Sequence, residues 1–351
     1  MPSSLKPLRR GSAVRASPDL CLERVRLETG RMAELAAIFK GIILPIFILV
    51  GAGAALEKRF KLDIATISKL NFFVFVPALL FRALLESKLE FEKLAVVAAF
   101  QVALILVMLA ASIALSRGLK LEASLSSAFI LAVVFCNSAN YGIPLVQLAF
   151  ATPEDPLAAE AVSFQAITIM VQNISTFTLG LLIIGHGKAS AMDSLRHTLR
   201  LPFVYVVAAA LILKAYGVPV TKWTWFWSPV SYMANGLVAV ALLTLGVQIA
   251  KTPSVRRVRT LAAAGFARLA LAPVAAFLLV RLFALFGLID PASLLARVVV
   301  IAAAGPSAVN TVLLALEFRN EPDFAASSVF YSTLFSGLTV AVAIFLVRGF
   351  M

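Results

Sequence analysis

Ten apolar runs govern what this chain can fold into. They lie near 38–56, 64–85, 94–115, 124–150, 159–184, 201–216, 229–250, 260–287, 292–317 and 323–348, and several exceed the roughly 18 residues needed to cross the hydrocarbon core of a bilayer. The expectation is an all-α polytopic membrane protein with ten transmembrane helices. Long polar stretches occur only over about the first 35 residues and at 185–200, which leaves no room for a soluble domain of ordinary size. The chain divides into an N-terminal arm (1–35), a first five-helix half (36–184), a cytoplasmic linker loop (185–200) and a second five-helix half (201–351).

A formal charge of +13 on a soluble chain would suggest nucleic acid, but this chain is 61% hydrophobic and its Lys and Arg residues cluster in short connections between the apolar runs. There is no basic stripe and no RNA-binding aromatic motif, so no nucleic-acid partner is expected. The charge reports topology instead. The connections 57–69, 116–123, 185–200, 251–259 and 318–322 carry fourteen Lys and Arg residues, against eight on the opposite face. The positive-inside rule then places the first set in the cytoplasm and both termini on the periplasmic face of a cell inner membrane. Met1 to Lys40 argues the other way with eight Lys and Arg residues. A chain starting at Met32, "MAELAAIFKGIILPIF", would begin directly with the first helix, so residues 1–31 read as a mis-called start, with a disordered basic arm as the alternative. The arm also resembles a secretory signal, but nine further helices and Pro45 favour a retained first helix.

Two cysteines, Cys21 and Cys136, offer neither a disulfide framework nor a metal cluster, and His186 and His197 share one polar loop as solvated residues. No cofactor and no metal site is expected. Trp223, Trp225 and Trp227 beside a helix start fit an interfacial aromatic belt.

The fourth run is interrupted at its centre by "CNSANYGIPL" (136–145), and the ninth by "AAAGPSAVN" (302–310). In both a glycine precedes a proline: Gly142 and Pro144 in one, Gly305 and Pro306 in the other. Glycine tolerates the backbone that ends a half-helix, and proline is favoured in the first turn of the next. Asn71 and Asn235 open similar stretches of the second and seventh helices, 66 and 70 residues before their respective breaks at Asn137 and Gly305. Five helices per half means that the halves insert with opposite orientation, as an inverted repeat. Backbone released from helical bonding cannot face lipid, so it is buried or lines a wet cavity. Two breaks in matching positions predict that helices four and nine cross near the midplane, with half-helix N-termini starting at Pro144 and Pro306 aimed at a shared cavity. That is a site for a carboxylate, to which Asn137, Asn140, Ser307 and Asn310 add directional hydrogen bonds. A kink with satisfied backbone is the alternative for either break taken singly.

Residues 38–348 resemble the auxin efflux carrier family, which includes plant auxin exporters and malonate-permease-like bacterial carriers. The resemblance rests on N-x-x-x-x-G-[IL]-P-L at Asn137 to Leu145, on "FVPALLF" (75–81), "ALLTLG" (241–246), "GPSAVN" with "ALEF" (315–318), and "EPDFAASSVFYSTLFS" (321–336). It implies a ten-helix inverted-repeat fold with broken, crossing helices four and nine, two subdomains in relative motion, often a homodimer, and organic-anion transport by alternating access. It places Asn137 where the exporters have a substrate-contacting asparagine, Gly142 and Pro144 on one crossover, Pro306 on the other, and Gln165 near the pocket. Leu201-Pro202-Phe203 lacks the exporters' asparagine, Asn310 stands where they have a second proline, and the 185–200 loop lacks their large insertion, which argues against auxin itself.

The leading reading is a secondary transporter of a small organic anion, such as malonate or an auxin-like acid, bound by Asn137, Asn140, Tyr141, Gly142, Pro144, Gln165, Gly305, Pro306, Ser307 and Asn310. Tyr141 either stacks on substrate or is a packed interior aromatic; Gln165, Gln172 and Asn173 form either a pocket wall or interhelical bonds. Glu160 and Glu317 lie near helix ends, so no carboxylate relay is evident, and Arg268 either snorkels, pairs or attracts anions. An anion sensor without transport and a sodium-coupled symporter of the related bile-acid-type fold are the alternatives. An enzyme is disfavoured because HExxH, GxSxG and paired intramembrane aspartates are missing.

Overall fold

The computed structural model describes residues 32–33, 35–87, 90–150, 156–185, 202–251 and 257–350, without the side chains of 156–158, 202–203 and 349–350. Residues 1–31 and 34 of the N-terminal arm, with Cys21, and the 186–200 loop with both histidines lie outside them. The described chain is helical: α1 (Leu35–Phe60), α2 (Ile64–Glu86), α3 (Phe91–Gly118), α4 (Ala123–Val134), α5 (Gly142–Phe150), α6 (Ala159–Ile184), α7 (Val204–Ala215), α8 (Thr224–Ala250), α9 (Val258–Leu285), α10 (Leu294–Ala303), α11 (Asn310–Glu317) and α12 (Pro322–Arg348). Among the described residues seven of these, α1, α2, α3, α6, α8, α9 and α12, are long and apolar enough to cross a membrane unaided. The predicted seventh run starts too late: α8 begins at Thr224 and carries Pro229 inside it. A proline this near a helix start removes a single backbone bond, so the first turns, with exposed Trp225, continue past it.

Prolines shape the long helices in a regular way. Pro45, Pro77 and Pro273 each follow a five-residue π turn, at Phe39–Ile43, Asn71–Phe75 and Ala267–Leu271. A proline ring clashes with the carbonyl four residues back, and that residue is Gly41, Phe73 or Leu269, the centre of each turn. Widening the turn relieves the clash and rotates the residues before it. A fourth π turn, Thr176–Gly180 in α6, has no such proline.

The packing has internal symmetry. α1 packs on α8, as α7 packs on α2. α3 packs on α4 and α6, as α9 packs on α10 and α12; α6 touches α10, as α12 touches α4. Exchanging each helix for its counterpart in the other half preserves this contact pattern, and α3 against α9 and α2 against α8 map onto themselves. Two groups result. One contains α1, α2, α7 and α8, drawn so close at Gly53 and Gly246 that a Cβ on either would lie within 2.1 Å of a carbonyl oxygen of the other helix. The second holds α3 to α6 and α9 to α12, and meets the first chiefly along α2 and α6.

Candidate functional site

The two interruptions meet. Cys136 and Ser307 form an isolated antiparallel bridge, in which the Asn137 N–H donates to the Pro306 carbonyl (2.8 Å) and the Ala308 N–H to the Phe135 carbonyl (2.9 Å). The bond pattern is unchanged when one break is exchanged for the other, so a local two-fold passes between Cys136 and Ser307. An antiparallel bridge between equivalent segments is what opposite orientation of the halves requires.

Many of the freed carbonyls find donors, as a membrane interior demands. At the end of α4, Ala132 accepts from the Ser307 hydroxyl (2.7 Å), and Val133 and Val134 accept from the Arg268 guanidinium (3.1 and 3.3 Å). Cys136 accepts from the Ser138 N–H, Asn137 from the Gly142 N–H (2.9 Å), and Ser138 from Gln165 Nε2 (2.7 Å). At the end of α10 Ala303 accepts from the same Arg268, and the Ser307 N–H donates to the Ser332 hydroxyl (3.0 Å).

The donors at the other side of each break are left open. Among the described residues the N–H groups of Ala139 and Asn140, and of Val309 and Asn310, make no hydrogen bond. These four residues precede or begin α5 and α11, and all line one cavity of about 40 Å³, room for roughly three waters. Asn137 and Asn173 line it too, with Phe72 from α2 and Gln172 and Thr176 from α6. Asn71 Nδ2 donates to Asn140 Oδ1 (2.7 Å), which turns the Asn140 NH2 into its available group; Asn310 Nδ2 donates to Asn173 Oδ1 (2.8 Å). The buried Asn137 Nδ2 and Gln172 Oε1 have no partner among the described residues. A buried amide edge without a partner costs about 1–3 kcal/mol, and a bound polar ligand removes that cost.

Asn137, Asn140 and Asn310 of the sequence-predicted set line this cavity. The others do not. Tyr141 is fully buried, its hydroxyl bonded to Ser336 (2.9 Å), so it is a packed interior aromatic rather than a stacking platform. Gln165 holds the Ser138 carbonyl, and Gly142 is there to admit it: a Cβ on Gly142 would lie 2.5 Å from Gln165 Nε2. Pro144 sits in the first turn of α5, as expected, but buried behind the cavity. Gly305, Pro306 and Ser307 form the extended bridge, and α11 starts at Asn310 rather than at Pro306. The second half-helix is displaced because Pro306 and Ser307 are used for pairing with the opposite break. Arg268 does not snorkel: it is 1% exposed and turned to the crossover.

Phe72, Ser138 and Thr176 went unrecognised. The π turns hold the signal for two of them, since Asn71–Phe75 carries Phe72 and Thr176–Gly180 carries Thr176. A larger space of about 590 Å³ between α9 and α12, with Phe277 and Leu338 on its walls, is lined by apolar side chains and a single threonine. It has no convergent polar groups to orient a small ligand, so size alone does not locate the site.

The sequence model of a family described as membrane transport protein matches residues 38–194 and 188–344, one stretch for each half of the chain. No curated protein matches the chain.

Proposed function

Because the chain belongs to the membrane transport protein family, that of the auxin efflux carriers, we propose that it is a secondary transporter of a small organic anion, bound in the crossover cavity. The family is one of transporters and this member is a multi-pass membrane protein. The observation that supports the substrate class is the convergence of open N–H groups from two half-helices, with the unpartnered amide of Asn137, in a cavity without acidic lining. Backbone donors at helix N-termini and amide NH2 groups are matched to a carboxylate. Gln172 Oε1 adds one acceptor, suited to a hydroxyl or a second, protonated carboxyl.

Seven long helices, the short α7 and the pairs α4 with α5 and α10 with α11 make ten spans in this reading, with the basic connections in the cytoplasm. The cavity lies where the two helix groups meet: Phe72 comes from one and the remaining walls from the other. The Asn71 to Asn140 bond and that from the Ser163 hydroxyl to the Ala83 carbonyl (2.8 Å) tie the groups together. Individual interhelical bonds of this kind contribute about 0.6 kcal/mol, so they can be exchanged as one group moves against the other and opens the cavity to either side. With room for roughly three waters, the present conformation is close to occluded. Malonate, with seven non-hydrogen atoms, enters only as the walls part.

A thermal-shift screen of the purified protein against mono- and dicarboxylates tests the substrate class. At least one is expected to raise the melting temperature at millimolar concentration, and acetamide, a neutral isostere of acetate, is not. Stabilisation by neutral amides or amines and by no carboxylate would reject the anion.

A further inference from the structure

We propose that Arg268 is the charge-selecting residue of the crossover: a fixed cation, shared by both half-helix C-termini, that makes a neutral amide cavity selective for anions. The inference rests on the reading of that cavity as the substrate site. Arg268 lies ten residues into α9, about 15 Å from its cytoplasmic start at the helical rise, and 1% exposed. None of the ion pairs among the described residues involves it. Its guanidinium donates to Val133 and Val134 at the end of α4 and to Ala303 at the end of α10, and its Nε has no partner among the described residues. An intramembrane charge held by carbonyls alone keeps its net charge.

The electrostatic sum shows why this matters. Each helix end carries about half an elementary charge, positive at the N-terminus and negative at the C-terminus. At the crossover the N-termini of α5 and α11 meet the C-termini of α4 and α10, so the four ends cancel. The two breaks by themselves create donors but no net potential. Arg268 sits on the two negative ends, leaving the two positive ends facing the cavity with a surplus of one charge. The separation is short: Val134, whose carbonyl is 3.3 Å from the guanidinium, is two residues from Cys136, which lines the cavity, so the path is at most about 10 Å with the two residues of extended chain included. That is close to the roughly 8 Å screening length of physiological salt, and a buried charge is screened less than that.

Cys136 gives a direct readout, since it stands in the cavity wall and Cys21 can be replaced by serine to leave it as the single thiol. A methanethiosulfonate reagent is attacked by the cysteine thiolate, forming a mixed disulfide and releasing methanesulfinate. The rates of the anionic sulfonatoethyl and the cationic trimethylammonioethyl reagents are compared on reconstituted protein, each normalised to the neutral methyl reagent. Any effect of Arg268 on thiol ionisation cancels in that ratio. The anionic reagent is expected to react about tenfold faster or more in the native protein, with the ratio falling to about one in Arg268→Gln. Arg268→Lys, which keeps the charge and loses the fork, should hold the ratio within about threefold of native. A native ratio of one or less, or a ratio lost in Arg268→Lys, overturns the assignment whether or not Arg268→Gln folds. Failure of all three reagents to reach Cys136 would instead reject the cavity as a substrate site, and the inference with it.

Discussion

Asn137 carries two jobs on two parts of the same residue. Its backbone closes the bridge to Pro306 and accepts from Gly142, and its side-chain NH2 is left unpartnered in the cavity wall. The same economy appears around it, where Gly142 exists to let Gln165 reach the Ser138 carbonyl. Gly142→Ala would push a methyl into Gln165 Nε2 and is expected to destabilise the protein by about 1–3 kcal/mol, as overpacking does, seen as a lower melting temperature. Gly41→Ala, with no atom within 4 Å of its added carbon, should not lower it. The three predicted asparagines that line the cavity were legible in the sequence because an amide inside an apolar run is too costly to be incidental. Phe72 was not, because a phenylalanine facing a cavity and one facing lipid read alike. Tyr141, Pro306 and Ser307 were legible as parts of the breaks, but their roles were not: which backbone group each would satisfy depends on the segment crossing from the other half.

The elements obey local rules that connect directly to the site. Three prolines each widen the turn four residues behind them, and two of those π turns aim Asn71 and Arg268 at the crossover. α2 starts with an N-cap: the Asp63 carboxylate accepts from the Ala65 N–H (3.1 Å) and from the Thr66 hydroxyl. These bonds, the Thr66 hydroxyl first, hold the Asp63 carboxyl below its ordinary value. A depressed carboxyl contributes stability that is fully present above the unfolded-state pKa and is lost as pH falls through the folded one. Hydrogen exchange at the first turn of α2 should therefore be unchanged from pH 7 to 5, after correction for intrinsic rates, and should quicken below about pH 4. In Asp63→Asn, which caps without titrating, the acid step should vanish. An acid step of the same size in that variant would show that Asp63 is not its origin. The breaks between α4 and α5 and between α10 and α11 were legible from Gly, Pro and Asn content, whereas the start of α11 was not, since pairing with the opposite break overrides the usual place of proline in a first turn.

At the scale of the whole molecule, the repeat of one half by the other was legible from the matched breaks. The division into two helix groups was not, because it follows from contacts such as Gly53 against Leu243 and Gly246 against Val50 that join opposite halves. The grouping bears on the proposed transport: the cavity is walled by Phe72 from one group and by both crossovers from the other, so the cycle proposed above has it open as the groups shift, with the bridge at Cys136 and Ser307 kept. The central claim, that the crossover cavity carries a small organic anion across the membrane, is tested most directly by capacitive current recorded from proteoliposomes after concentration jumps of malonate, acetate and other carboxylates. The native protein should give a current of negative-charge movement with at least one of them. Asn137→Ala, reconstituted to the same density, should require roughly 10–100-fold more anion for half-maximal current, the loss expected of one hydrogen bond to a charged group. Currents from no carboxylate in the native protein, or an unchanged response in Asn137→Ala, would contradict it.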